Sequence, residues 1–181
     1  MKNSVKLTVI LCLLHGMIFG QLEDLNITKK LWGPTGTHPQ EYEMGGNPFD
    51  KKNQDIAFIK SKNDLAQGFA GYATSLATKD FPDTRIKLSC DIKLIDVANQ
   101  ASVWMRVDGK DNSVLGFDNL QTRPPAKDID GWQHHYIVLD IPDESSRLLF
   151  GLLLAGKGEL YVKNMALEAV DNSTQTTNML K

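Results

Sequence analysis

Trp104 and Arg106 are the two side chains whose types and spacing suit recognition chemistry. In the stretch from Ala101 to Asp108, Ala101, Val103, Met105 and Val107 alternate with Ser102, Trp104, Arg106 and Asp108. A period of two gives a strand one dry face and one wet face, so the indole and the guanidinium project together from the side opposite the core. A sugar ring presents an apolar C–H face bordered by hydroxyls, and an aromatic plane beside hydrogen-bonding groups is what such a ligand needs. Asp118, Asn119, Gln121 and Arg123, at the end of the next strand and in its adjoining loop, are expected to add polar partners. Tyr136 and His134 alternate to one side of a later strand and would extend the surface. If the N-terminal loop covers this face instead, Trp104 becomes a core residue and Arg106 forms a structural ion pair with Asp118.

Other constellations carry less. The chain has no G-x-S-x-G, no H-E-x-x-H and no phosphate-cradling glycine loop, so no catalytic residues are nominated. His134 and His135 are adjacent on a strand pattern and point to opposite faces, so they do not chelate one ion, and His38 is isolated in a loop. No metal site or cofactor is expected. A structural calcium would have to draw on Asp55 and Glu168, which no spacing motif supports. Trp32 and Trp132 are read as core plugs.

These residues need a sheet scaffold. The segment from Arg85 to Ile95 sets Ile86, Leu88, Cys90, Ile92 and Leu94 against Lys87, Ser89, Asp91 and Lys93, the clearest alternation in the chain. Further strands are predicted over 55–61, 68–78, 101–108, 113–118, 132–141, 148–155 and 159–170. The turns Asp108-Gly109-Lys110-Asp111-Asn112 and Gly156-Lys157-Gly158 join successive pairs. The run from Leu148 to Ala155 is apolar on both faces, which predicts a central strand covered on each side. Residues 21–53, rich in Gly, Pro, Asn and Thr, read as an opening strand plus a long irregular loop, and 63–67 as at most one helical turn. About eight short strands without an amphipathic helix predict an all-β, antiparallel two-sheet sandwich, or jelly roll.

The ends are distinct. Two lysines precede an uncharged run from Leu7 to Phe19 that closes on Gly20, the pattern of a secretory signal peptide. About 13 apolar residues fall short of the roughly 20 that span a bilayer, so no membrane insertion is expected. The expected organisation is a signal peptide over 1–20, a β-sandwich over 21–170 and a polar, disordered tail over 171–181. Without the two leader lysines the formal net charge moves from −2 to −4, which gives no electrostatic case for nucleic acid. Cys12 falls in the leader, leaving Cys90 without an internal disulfide partner, at a position that reads as buried.

From Trp32 to Val170 the chain resembles the galactose-binding-like jelly rolls, which include several carbohydrate-binding modules. The matching strings are 55–61 (Asp-Ile-Ala-Phe-Ile-Lys-Ser), 131–136 (Gly-Trp-Gln-His-His-Tyr) leading to Asp140-Ile141-Pro142, and 159–167, where Lys163-Asn164 stands in place of an acidic pair. More narrowly, 104–109, 117–124 and 150–158 are similar to a jelly-roll domain that bacteria attach to AraC-type regulators and to some secreted hydrolases. The resemblance implies the fold; no helix-turn-helix or hydrolase segment is legible here, so neither activity is carried over. The expectation is a secreted, periplasmic or extracellular, non-catalytic binding module for a carbohydrate or related polar ligand. Its ligand residues would be Trp104, Arg106, Asp118, Asn119, Arg123 and Tyr136. The alternative is an interaction or structural domain with a protein partner in the cell envelope, and a small hydrolase is the third class.

Overall fold

The computed structural model describes residues 31–49, 56–79, 81–127 and 129–180. The leader pattern at 1–20 and Asp55 lie outside the described residues. Ten strands follow in order: β1 (Gly33–Gly36), β2 (Tyr42–Gly45), β3 (Ala57–Ser61), β4 (Phe69–Ala77), β5 (Thr84–Ile95), β6 (Gln100–Gly109), β7 (Val114–Asp118), β8 (Gln133–Ile141), β9 (Ser145–Ala155) and β10 (Glu159–Val170). They form two antiparallel five-stranded sheets, a first in the order β1-β4-β9-β6-β7 and a second in the order β2-β3-β10-β5-β8. This is the jelly-roll sandwich that the alternating patterns predict. β1 and β2 are short and lie within residues 21–53, where one opening strand is expected, so the stretch holds one strand more than the sequence predicts. Residues 63–67 form a turn, and the described helical structure is one 3-10 turn at Pro39–Glu41.

The core is the space between the sheets. Ile86, Leu88, Cys90, Ile92 and Leu94 of β5 bury on one side, and Val103, Met105 and Val107 of β6 with Leu148, Phe150, Leu152 and Leu154 of β9 on the other. Burying an aliphatic or aromatic side chain of this size contributes roughly 1.5–3 kcal/mol relative to leaving it exposed. Cys90 is sealed here, and burial pushes its thiol pKa up, which keeps it protonated and unreactive. Trp32 packs on Phe49, Tyr72 and Phe150, with ring centroids 6.3, 5.4 and 6.0 Å away, and so plugs one end as expected.

β9 is central, with β4 and β6 as its neighbours, but only one of its faces is covered among the described elements. Leu149 and Leu153, opposite in direction to Phe150 and Leu152, stay half-buried on the outer side. Apolar residues on both faces therefore mark an open apolar floor on one side, and that corrects the expectation of two covered faces.

The segment after Val170 differs from the disorder its composition predicts. Thr177 N–H donates to Val138 O of β8 at 2.8 Å, and Met179 N–H donates to Phe117 O of β7 at 2.8 Å. Val138 N–H in turn donates to Thr177 Oγ1 at 2.9 Å, and Phe117 N–H to Asn178 Oδ1 at 3.0 Å. β7 and β8 are the edge strands of the two sheets on the same side of the sandwich, so this strap pairs both open edges at once. Polar side chains are used for hydrogen bonds rather than burial, which is why an apolar-pattern reading misses it.

Candidate ligand-binding face

The outer face of the first sheet is built from cross-strand rows. Trp104 of β6 stands opposite Gly151 of β9, which stands opposite Ala73 of β4. A side chain at Gly151 has no room, since a Cβ would lie 2.6 Å from Tyr72 O and 2.7 Å from Ala73 Cβ. The missing side chain lets the indole reach across β9, where Trp104 Nε1 donates to Leu152 O at 3.3 Å. The indole is half-buried, with Leu149 and Leu153 on either side of Gly151 along β9 and Ser102 beside it on β6. Ser102 is itself buried, and its hydroxyl has no hydrogen-bond partner among the described residues.

Arg106 lies two positions along β6, about 7 Å from Trp104 by the rise of a strand. Its partner is Asp108 on the same strand, with Nη2–Oδ2 at 3.0 Å and Nε–Oδ1 at 2.8 Å. The second contact is short but poorly aligned, and so acts as an ion pair rather than a hydrogen bond. Arg147 of β9, opposite Asp108 in register, reaches the same carboxylate at 3.4 Å from a side chain that is 54% exposed. A β-bulge at Val107/Asp108 in the pairing with β7 accompanies this cluster.

The remaining expected site residues are elsewhere. Asp118 points into the sandwich, completely buried, where Oδ1 accepts Leu120 N–H at 2.7 Å and Oδ2 accepts a hydrogen bond from Arg123 Nη2. Met105 and Asp118 share a register position, so Asp118 faces the core side while Arg106 faces out, and the two do not pair. Arg123 Nη1 donates to Tyr136 O at 2.9 Å, and its guanidinium lies 5.5 Å from the Tyr136 ring centroid. Asn119 uses its amide oxygen to accept Gln121 N–H at 3.1 Å. Arg123 therefore fastens the loop after β7 to β8, which belongs to the second sheet, while Asp118 and Asn119 brace the loop from within. Tyr136 and His134 extend the outer face of that sheet and do not join Trp104.

That second face corrects the reading of Trp132 as a core plug. Trp132 is 37% exposed and Tyr136 43%. Lys163 Nζ sits 4.1 Å from the Trp132 ring centroid and occupies one side of it. Nearby, Asp91 accepts from Asn164 Nδ2 at 2.8 Å and lies 3.0 Å from His134 Nδ1. Burial opposes the Asp91 charge, but the Asn164 and His134 hydrogen bonds with the His134 and Lys163 charges outweigh it and hold its pKa low. His135 points the other way, half-buried, as adjacent strand residues must. Glu168 is engaged by Lys87 at 3.0 Å, and no cluster of three metal-binding side chains occurs among the described residues.

Sequence reasoning missed Arg147, Asp108 and the floor of Gly151, Leu149 and Leu153. The signal was present in the doubly apolar β9 string, interrupted by a glycine opposite Trp104. What it lacked was the cross-strand register.

No protein-family model matches the chain. A Bacillus subtilis (strain 168) protein named uncharacterized HTH-type transcriptional regulator YbfP is 35% identical over 164 residues, covering 87% of this chain and 54% of that protein. The chain thus spans about half the length of the curated relative it matches. Among solved structures, the enzymatically active domain of bacteriophage CBA120 tailspike protein 4 superposes with a TM-score of 0.55 at 14% identity, over 84% of this chain and 21% of that one. The Clostridium thermocellum xylanase 10B CBM22-1–GH10 modules, solved with xylohexaose, give 0.51 at 7% identity, over 80% and 27%. At these identities the likeness is one of fold alone, a jelly-roll β-sandwich.

Proposed function

We propose that this chain is a secreted, non-catalytic carbohydrate-binding domain whose ligand lies across the outer face of the first sheet, on Trp104. The observation that carries this is the half-buried indole laid over Gly151, flanked by Leu149 and Leu153 and bordered by Arg106. An apolar floor with a charged fork at one end matches the alternation of C–H faces and polar substituents along a glycan. The jelly-roll architecture supports the reading at the level of fold. Asp118, Asn119, Arg123 and Tyr136 act in it as supports, since their polar atoms already hold the loop after β7.

Affinity electrophoresis against a panel of soluble polysaccharides tests it. Binding is expected for the native protein, and Trp104→Ala should weaken it by at least about tenfold, the scale of one lost aromatic contact in a binding site. Unchanged binding in that variant removes the site. Failure to bind any polysaccharide, together with a protein partner copurifying from the cell envelope, would move the face to the interaction-domain reading.

A further inference from the structure

The charges of the first sheet are sparse and one-sided. Within its five strands the carboxylates are Asp108 and Asp118, and both are already engaged by arginine. Its strand cations are Arg106 and Arg147, both beside Asp108 and both on the side of Trp104. One carboxylate between two guanidiniums leaves the strand residues of that face one positive charge in surplus, in a chain whose formal net charge is −2. Arg106 is committed to Asp108 by two close contacts, whereas Arg147 touches it at 3.4 Å and is 54% exposed. The carboxylates Asp111, Asp143 and Glu144 lie in the turns beyond the sheet at the same end, where Asp111 Oδ1 accepts from Ser113 N–H at 3.0 Å and Lys110 Nζ donates to the backbone carbonyl of Asp143 at 3.1 Å. The second sheet is different: its outer side mixes lysines with Asp91, Asp140, Glu159 and Glu168.

We propose that the ligand of the Trp104 face is an acidic polysaccharide, a chain of sugar rings bearing carboxylates, with Arg147 as the cation that meets a carboxylate. This rests on the carbohydrate reading of the same face. Arg147 stands four strand positions from the Gly151 opposite Trp104, about 13 Å along the face, which suits a chain with one ring stacked on Trp104 and the acidic group of a ring further along at Arg147. A guanidinium presents a planar donor fork that matches a carboxylate, and Asp108 orients the Arg106 and Arg147 forks without cancelling both.

The test is affinity electrophoresis of the full chain in gels containing polygalacturonate, its methyl-esterified form, neutral xylan or dextran sulfate, at about 0.15 M salt, where the Debye length is about 8 Å. Polygalacturonate should retard the protein and the esterified polymer, with the same rings and no charge, should not. Arg147→Gln should weaken polygalacturonate binding at least about tenfold, the scale of one charge-assisted hydrogen bond, while thermal melting shows the fold retained. Trp104→Ala should weaken it too. Equal retardation by the esterified polymer or by xylan, or no effect of Arg147→Gln, overturns the acidic ligand and leaves the carbohydrate reading standing. Retardation by dextran sulfate alone overturns the carboxylate in favour of a non-specific polyanion. No retardation in any gel overturns both readings.

Discussion

At the scale of single residues, the fate of a polar side chain on a strand depends on its parity relative to the core. Asp118 looked like a ligand partner of Trp104, yet its register with Met105 turns it inward, where Leu120 N–H and Arg123 satisfy it. A buried carboxylate without such partners would cost several kcal/mol, so Arg123 is best understood as its counter-ion. His135 is a second case. Burial, then the Arg123 charge and then His134 lower its pKa from the ordinary 6.5. The unfolded chain takes up a proton near that ordinary value while the folded chain resists it. Folding is therefore penalised as pH falls below about 6.5, and the penalty grows until the lower folded pKa is passed. The melting temperature should drop between pH 7.5 and pH 5, and His135→Gln should flatten part of that drop. A parallel pH dependence in the variant would show that His135 is not its source. Asp91 acts in a separate window, because its depressed pKa contributes stability that is lost only as pH falls below the usual carboxylate range.

At the scale of elements, the strap after Val170 is the part of the molecule most in need of explanation. Edge strands expose unpaired N–H and C=O groups that invite pairing with other chains. Here Thr177 takes both backbone groups of Val138, through its own N–H and its hydroxyl, while Asn178 and Met179 do the same for Phe117. Arg85 adds two contacts, donating to Asn172 O at 3.1 Å and Thr174 O at 2.8 Å while holding Asp140. Thr177→Pro deletes the donor and the hydroxyl together and should cost about 1–2 kcal/mol in urea unfolding. Faster hydrogen exchange at the Val138 amide should accompany it. An unaltered exchange rate there would mean that the strap contributes nothing to edge protection.

At the scale of the whole molecule, a sandwich with an open apolar face on its first sheet is joined, in the proposed function, to export from the cell. The short apolar run before Gly20, preceded by two lysines, supports the second part. Protein recovered from the periplasm or medium of its native host should begin near Gln21 on amino-terminal sequencing. An intact Met1 on protein confined to the cytoplasm would refute export. A sandwich without a disulfide among its described cysteines then depends on its core, and the tightly sealed Ile, Leu, Val and Phe positions supply that.

The amino-acid sequence determined the strands and their faces. Alternation in 85–95 and 101–108 is set locally, by the geometry that sends successive side chains to opposite sides, so β5 and β6 and the outward pairing of Trp104 with Arg106 were legible from the chain alone. Which strand lies beside which is a long-range matter, decided by how the two sheets bury their apolar faces against one another. Only that arrangement brought Gly151 under the indole and Arg147 to Asp108, turned Asp118 inward, and sent Tyr136 to the other sheet. It also gave the polar segment after Val170 two edges to bind, because hydrogen bonds to distant backbone leave no periodic trace in the residues that make them.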